Sequence, residues 1–407
     1  MYYIILFVYF SLYYFSAKNN TRMVLFLLPL FTISFTYYIF GSYVISLSKN
    51  EINIYPFIIS LVFFSLQFFS LPVAINNGIL GVAIWGGGLS LLPFIDILFP
   101  LNPLIITYPQ FNFILPTSQY PFINLFLLFT LPCILFLKYK KQAKIILITA
   151  LLSLTKIYDG TNIKDDESRL KIAIVQVGLY YEKGGSTTNF FNDLKLFLDR
   201  NPGIELVVFS ENSLYGFKTE YNSDITKELF KKISQERLDD KYHIIMNLYG
   251  FHDINNVVTL YKHNGKEMIN QKRVLIPFVE KRGVLNRRES LFSDFLYVDS
   301  KIERRIISYK NNDIHTYICY DALFPLYSKS HRGITIIQSD YSRLNSGNGY
   351  NDLLKYGTFL SKFSNGMSSN IVINIQNNGG TTVMKNGWDI DEKLFRASLD
   401  EPFLIIE

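Results

Sequence analysis

The sequence predicts a multi-span α-helical membrane domain over residues 1–158, followed by a layered α/β domain over 168–407. Three observations carry that reading. The 407 residues have a mean hydropathy of +0.16 and are 16% aromatic, too apolar for an ordinary soluble chain. Nine Asp, Glu, Lys or Arg residues fall in 1–155, against 65 between Lys156 and Glu407, and all five histidines lie in the second part. Beyond residue 170, short branched runs alternate with segments of helical spacing, the pattern of strands interleaved with helices.

A hydrocarbon core about 30 Å thick takes roughly 20 mostly apolar helical residues, with about 17 as the lower limit. Segments 1–17, 23–47, 54–75, 79–99 and 121–137 meet that length. A sixth, 145–157, is short, but Lys144 and Lys156 flank it and their aliphatic stems can reach toward the two interfaces. The first 17 residues lack a basic start and a small-residue cleavage site, so they read as a retained span. Residues 100–120 hold four prolines and no charge, which suits an apolar loop lying at the interface.

With six alternating crossings, Lys18, Arg22, Lys138, Lys140, Lys141 and Lys144 share one side and Lys49 lies on the other. The basic side is cytoplasmic, so the domain after residue 157 is extracytoplasmic. Were the sixth segment not to cross, that domain would be cytoplasmic. A transporter is disfavoured: Asp96 is the one acidic residue within a span, and no repeat of Gly/Pro-broken helices appears. Gly86-Gly87-Gly88 invites close helix packing instead.

Composition excludes other classes. The formal charge of +6 is modest and no basic tract interleaves with aromatics, which argues against nucleic acid. Cys133 and Cys319 do not suggest a disulfide framework. The histidines, scattered through 243–331, have no metal-ligand spacing, and no cofactor is expected.

In the second domain, 171–177 reads as a short buried strand and 187–200 as a helix, with apolar spacing at Phe190, Phe191, Leu194, Leu196, Phe197 and Leu198. A strand at 205–210 delivers Glu211, a helix spans 224–238, and a strand 243–249. Val257 to Lys262 and Glu267 to Lys272 flank Asn264-Gly265, a hairpin signal. Strands follow near 303–309, 314–319 and 333–338, then a helix near 350–364 and strands near 370–376 and 380–385.

Cys319 ends the apolar run Thr316-Tyr317-Ile318, with Glu211 and Lys272 upstream. Singly these are weak signals. A lone cysteine closing an apolar strand is more often core filler, Glu211 could be a solvent-facing strand-end carboxylate, and Lys272 beside Arg273 an exposed pair. Carboxylate, amine and thiol in that order nevertheless suit acyl transfer through a cysteine nucleophile. A free thiol has a pKa near about 8.5 and attacks as thiolate once a base takes its proton.

Five segments carry a family resemblance: Val175-Gln176, Val208-Phe209-Ser210-Glu211-Asn212, Asn270 through Glu280, Ile318 through Pro325, and Asn377-Asn378-Gly379. Together they resemble the carbon–nitrogen hydrolase (nitrilase) superfamily, and most closely its membrane branch, the apolipoprotein N-acyltransferases. The resemblance implies a nitrilase-like four-layer α-β-β-α sandwich. It implies Cys319 as nucleophile, Glu211 as base and then acid with a pKa raised by a sheltered site, and Lys272 as oxyanion stabiliser. Glu280 matches the family's second glutamate, Tyr320 follows the nucleophile, and Asn377-Asn378-Gly379 reads as a structural turn. The implied donor is a phospholipid and the implied acceptor the α-amine of a lipoprotein N-terminus.

The departures lie on the substrate side. Asp321 stands where glutamate is usual, Val279 replaces a glycine, and Gly178 stands where asparagine is frequent. Ser339-Asp340-Tyr341-Ser342-Arg343 lacks the family's tryptophan, and the family's R-x-R-A-x-E helix motif is not recognisable in 357–369. One span fewer precedes the domain than in the family, and no closing span follows it before Glu407. Two further readings follow: a membrane-tethered amidase or nitrilase-type hydrolase with water as acceptor, and a non-catalytic membrane module that binds lipid or a partner protein.

Overall fold

The computed structural model describes residues 2–40, 55–95, 102–106, 121–157, 170–211, 231–249, 256–276, 305–310, 312–324, 333–341, 350–365, 371–385 and 389–407. The chain forms two compact units. One comprises Met1–Ile163, Leu323–Lys329 and Arg343–Ser368; the other comprises Lys164–Ala322, Ser330–Ser342 and Ser369–Glu407.

The second unit is built on two sheets. Strands β1 (Ile172–Val175), β2 (Leu206–Phe209), β3 (His243–Tyr249), β4 (Val257–His263), β5 (Lys266–Gln271) and β11 (Phe403–Ile406) form one, in the order β11-β1-β2-β3-β4-β5. Strands β6 (Ile307–Tyr309), β7 (Asn312–Ile318), β8 (Ile334–Ser339), β9 (Ile371–Gln376) and β10 (Thr382–Lys385) form the other, in the order β10-β9-β8-β7-β6. In each sheet three central strands run parallel: β1, β2 and β3 in the first, and β7, β8 and β9 in the second. Parallel strands covered on both faces read as continuous branched runs, which is why Ile172–Val175 and Leu206–Phe209 lack a polar alternation.

Side chains on a strand alternate between its two faces. Ile172, Ile174, Leu206, Val208 and Ile245 meet Ile314, Ile334, Ile336, Ile373 and Ile375 in the core between the sheets. Ala173, Val175, Val207, Phe209 and Met246 face the other way, against Phe190, Phe191, Leu194 and Leu198 of the helix Thr187–Arg200. Ser186 caps that helix by accepting the Asn189 N–H at 3.3 Å. Helix, sheet and sheet thus supply three layers of the expected sandwich within this unit.

The helix expected over 350–364 is present as Tyr350–Asn365 but belongs to the other unit. Its Leu354, Phe359, Leu360 and Phe363 are buried there, it packs against the helices Pro103–Ile106 and Pro121–Ile134, and Asn124 Nδ2 donates to Phe363 O at 3.1 Å. Among the described residues, the remaining α-helices of that unit are Tyr2–Ala17, Thr21–Phe40, Tyr55–Asn76, Gly78–Leu91 and Lys141–Ile157.

Among the described residues, part of the expectation of six spans is met. Two helices are long and apolar enough to cross a membrane, over Thr21–Ile39 and Phe57–Asn76. Tyr3–Ala17, Gly78–Phe94 and Pro121–Ile134 are apolar but shorter. A turn at Asn77-Gly78, where Gly78 has φ +67°, separates the helices Tyr55–Asn76 and Gly78–Leu91, and the helix containing Pro132 ends at Ile134. Gly86 meets the expectation of close packing, since a Cβ there would lie 2.4 Å from Thr130 Cγ2, whereas Gly87 and Gly88 face open space. Apart from Leu196 and Ile306, every exposed large hydrophobic side chain among the described residues lies between Tyr3 and Ile146, including Phe7 at 73% and Ile146 at 70%.

Candidate active site

Glu211, Lys272 and Cys319 each lie just past the end of a strand, and hydrogen bonds made a few residues upstream tie those strands across the two sheets. Gln338 on β8 donates through Nε2 to Phe209 O at 2.7 Å and accepts the Thr259 hydroxyl at 2.6 Å, joining β8 to β2 and β4. Asn270 on β5 donates to the Thr316 hydroxyl of β7 at 2.9 Å and to Arg305 O at 2.9 Å. A buried polar group left unmade costs about 1–3 kcal/mol, so these bonds fix how the strands pair across the core. Glu211 follows Phe209 by two residues, Lys272 follows Asn270 by two, and Cys319 follows Thr316 by three.

Glu211 and Lys272 are brought together. Lys272 is fully buried and Glu211 is 4% exposed, with Lys272 Nζ 3.7 Å from Glu211 Oε1. The same oxygen accepts the hydroxyl of Tyr249, the last residue of β3, at 3.2 Å. Lys272 is anchored through its own N–H, which donates to Val257 O at 2.8 Å. A buried ammonium and carboxylate are tolerable together because each compensates the other's desolvation.

Cys319 opens a short 3₁₀ turn, Cys319–Leu323, and has φ +48°, a left-handed conformation that few non-glycine residues adopt. Such backbone strain persists where surrounding structure imposes it and clusters at functional sites. Cys319 is partly accessible, unlike the buried Cys133. Two residues on, the fully buried Asp321 accepts the Val274 N–H at 3.1 Å, which ties the turn after Cys319 to the segment just beyond Lys272. Tyr320 lies in the same turn and is partly buried. Glu280 falls outside the described residues.

Asn377, just past the end of β9, joins the ends of β2 and β8 to the helix Val177–Glu182. Its Oδ1 accepts the Ser210 hydroxyl at 2.8 Å and the Gly178 N–H at 2.9 Å. Its N–H donates to Ser339 O at 2.9 Å, and its carbonyl accepts the Leu179 N–H at 2.9 Å. Ser210 immediately precedes Glu211, so the carboxylate's backbone is set by this hub. The close approach explains Gly178, since a Cβ there would fall 2.8 Å from Asn377 Nδ2 and Asn378 Oδ1.

Sequence reasoning missed Tyr249 and Tyr341 as members of this neighbourhood. The Tyr341 phenol is pushed above the usual tyrosine range by burial first, then by the nearby Cys319, with Glu211 adding to it. Tyr341 stands in the segment already singled out for lacking the family's tryptophan, and that departure was the available signal. Among the described residues no cluster of His, Cys, Asp and Glu could hold a metal ion.

Fold and site together define a helix-backed double-sheet α/β sandwich with a carboxylate, an ammonium and a strained cysteine at its strand ends. No family model matches the chain, and no curated protein matches it. Among solved structures it is similar to a mutant of an amidase from the nitrilase superfamily of Nesterenkonia AN1, at 12% identity and a TM-score of 0.36 over 55% of this chain and 86% of that one. Another structure of the Nesterenkonia sp. AN1 amidase, with acrylamide added at its active-site cysteine, gives 12% identity and a TM-score of 0.38 over 59% and 93%. A carbon–nitrogen hydrolase from Helicobacter pylori G27 gives 14% and 0.37 over 54% and 83%.

Proposed function

We propose that the chain is a membrane-bound acyltransferase, which moves a fatty acyl chain from a phospholipid through a Cys319 thioester to the N-terminal amine of a lipoprotein. The observation that carries this reading is the buried pair Lys272–Glu211, with Tyr249 on the same carboxylate oxygen and a left-handed Cys319 tied to the Lys272 segment through Asp321. The order of these residues and the motifs around them resemble the nitrilase superfamily's membrane branch. Apolar helices with outward-facing Phe, Leu and Ile over residues 3–146 support membrane association.

In the first half-reaction Glu211 takes the Cys319 proton, and the thiolate attacks the ester carbonyl carbon of the lipid. Lys272 faces the resulting oxyanion as a fixed cation. The ester C–O bond then breaks, and the leaving lysophospholipid oxygen takes the proton back from Glu211. In the second half-reaction the acceptor amine attacks the thioester and gives its proton to Glu211. The C–S bond breaks, an amide remains, and the sulfur is reprotonated. Residues 1–158 serve as the membrane domain, with additional crossings by the shorter apolar helices. Residues 168–407 serve as the extracytoplasmic catalytic domain, with Glu280 and Tyr320 as supporting residues.

The test incubates the detergent-solubilised chain with acyl-labelled phospholipid and maps label to Cys319. Label chased only by a diacylglyceryl-cysteine peptide supports transfer. Label lost to water makes the chain a hydrolase. A wild type that takes no label, with a Cys319→Ala variant that keeps full cellular function, leaves only the non-catalytic module. A thiol or protease probe confined to the outer side that fails to reach residues 168–407 rejects lipoprotein transfer.

A further inference from the structure

Three turns of the helical unit meet at one of its ends. Phe136, just past the helix Pro121–Ile134, lies 6.5 Å between ring centroids from both Tyr13 and Tyr14, in the last turn of Tyr2–Ala17. The turn at Asn77-Gly78 reaches the same place. The Ile79 N–H donates to the Tyr139 hydroxyl at 3.4 Å, and a Cβ on Gly78 would lie 3.0 Å from that oxygen.

These turns and the helix starts beside them carry six cations: Lys18, Arg22, Lys138, Lys140, Lys141 and Lys144. Residues 1–158 contain only two acidic side chains, Glu51 and Asp96, and neither belongs to these turns. The first turns of Thr21–Phe40 and Lys141–Ile157 hold no carboxylate, and among the described residues none of the six cations is ion-paired. Lys144 closes its own turn, with Nζ donating to Leu135 O at 2.7 Å. The other five are exposed. Like charges gathered without a counter-charge repel one another, and an external anion relieves that repulsion.

Apolar side chains interleave with these cations. Tyr14, Leu135, Tyr139, Ile145 and Ile146 are all exposed. A soluble phosphate would neutralise the lysines and leave those side chains in water. A phospholipid brings phosphate to the cations and acyl chain to the apolar groups at once. A choline ammonium would meet the same cations as a like charge, so a headgroup with net negative charge fits better than a zwitterionic one.

We propose that this end of the helical unit is a docking surface for anionic phospholipids. Lys138, Lys140, Lys141, Lys18 and Arg22 hold the headgroup phosphate, and Ile145 and Ile146 lie against the acyl chains. The inference rests on the reading of residues 1–158 as a membrane domain. It goes beyond the orienting effect of lysine placement, which does not retain any particular lipid.

The experiment mixes the detergent-solubilised full chain with equal amounts of phosphatidylglycerol and phosphatidylcholine and counts retained lipid by native mass spectrometry. The wild type should retain phosphatidylglycerol about tenfold or more over phosphatidylcholine. A basic residue near an anionic surface contributes about fivefold in affinity, so Lys138→Gln, Lys140→Gln and Lys141→Gln together should cut that preference about tenfold or more. Arginine at the same three positions should keep it. Lys18→Gln with Arg22→Gln, on the other turn, should lower it independently and decides the matter if the triple glutamine variant folds poorly. Equal retention of the two lipids by the wild type, or a preference unmoved by either glutamine set, overturns this inference alone. Displacement of the lipid by an equal concentration of glycerol 3-phosphate makes the surface a site for soluble phosphate and overturns it too. A chain that retains neither lipid and stays dispersed without detergent overturns the membrane reading as well.

Discussion

The Tyr249 hydroxyl donates to Glu211 Oε1 at 3.2 Å, on the oxygen that also faces Lys272 Nζ at 3.7 Å. One carboxylate oxygen is therefore held from two elements, the end of β3 and the segment after β5. Hydrogen bonds to charged groups contribute about 1.5–3 kcal/mol. Tyr249→Phe should slow acyl-enzyme formation about ten- to a hundredfold, with the melting temperature little changed. Pre-steady-state transfer of acyl label to Cys319 measures this. A rate equal to the wild type would reduce Tyr249 to packing.

Lys272 and Glu211 should be coupled in stability as well as in activity. Removing one partner of a buried ion pair costs about 3–5 kcal/mol because the other charge is left uncompensated. Lys272→Met should thus destabilise the protein strongly, while Glu211→Gln together with Lys272→Met should restore part of the loss. Urea denaturation of the two single variants and the double variant gives the coupling. Strict additivity would mean that the two groups do not sense each other.

The branched runs of β1 to β3 and of β7 to β9 were legible because buried parallel strands leave an unbroken apolar signal. The hairpin at Asn264-Gly265 was legible because both residues take the positive φ that such a turn demands, +47° and +72°. Glu211, Lys272 and Cys319 stood out through the segments around them. The bonds that hold those segments together did not. Gln338 and Asn270 look like ordinary strand polar residues, and Asn377 like a turn residue, until partners 35 to 199 positions away are known. The terminal strand Phe403–Ile406 escaped notice because four residues carry too little periodicity, and it gains its place only by pairing with β1. Tyr350–Asn365 was recognisable as a helix, but nothing in its spacing says which apolar unit it packs against.

Asp321 and Val274 make a third test. The Val274 N–H has the buried Asp321 Oδ1 as acceptor at 3.1 Å. Asp321→Ala leaves that donor unsatisfied and frees the turn after Cys319 from the Lys272 segment, at about 1–3 kcal/mol of stability. Asp321→Asn keeps an acceptor oxygen and should recover most of the loss. Thermal denaturation of the two variants checks the order, and equal melting temperatures would show that the Val274 bond contributes nothing.

At the opposite ends of the strands a stacked histidine pair gives the fold a pH dependence. His243 lies face to face with His263 at 3.8 Å between ring centroids and against Tyr309 at 3.9 Å. Its Nδ1 is 2.6 Å from the Tyr261 hydroxyl. Tyr309 donates to Glu205 at 2.8 Å, and Lys310 pairs with the same carboxylate. Burial first, then the neighbouring His263, with Lys310 adding and Glu205 opposing, lowers the His243 pKa to about 4. The unfolded value is about 6.5, so the folded state binds the proton less readily than the unfolded chain. The contribution of a neutral His243 is therefore complete above about pH 6.5 and is lost as pH falls from there toward about 4. The wild-type melting temperature should drop across that window. His243→Phe, which keeps an aromatic ring in the stack, should have a lower melting temperature at pH 7.5 and a flatter profile below it. Parallel profiles for the two proteins between pH 7.5 and 4 would show that the acid-labile element lies elsewhere.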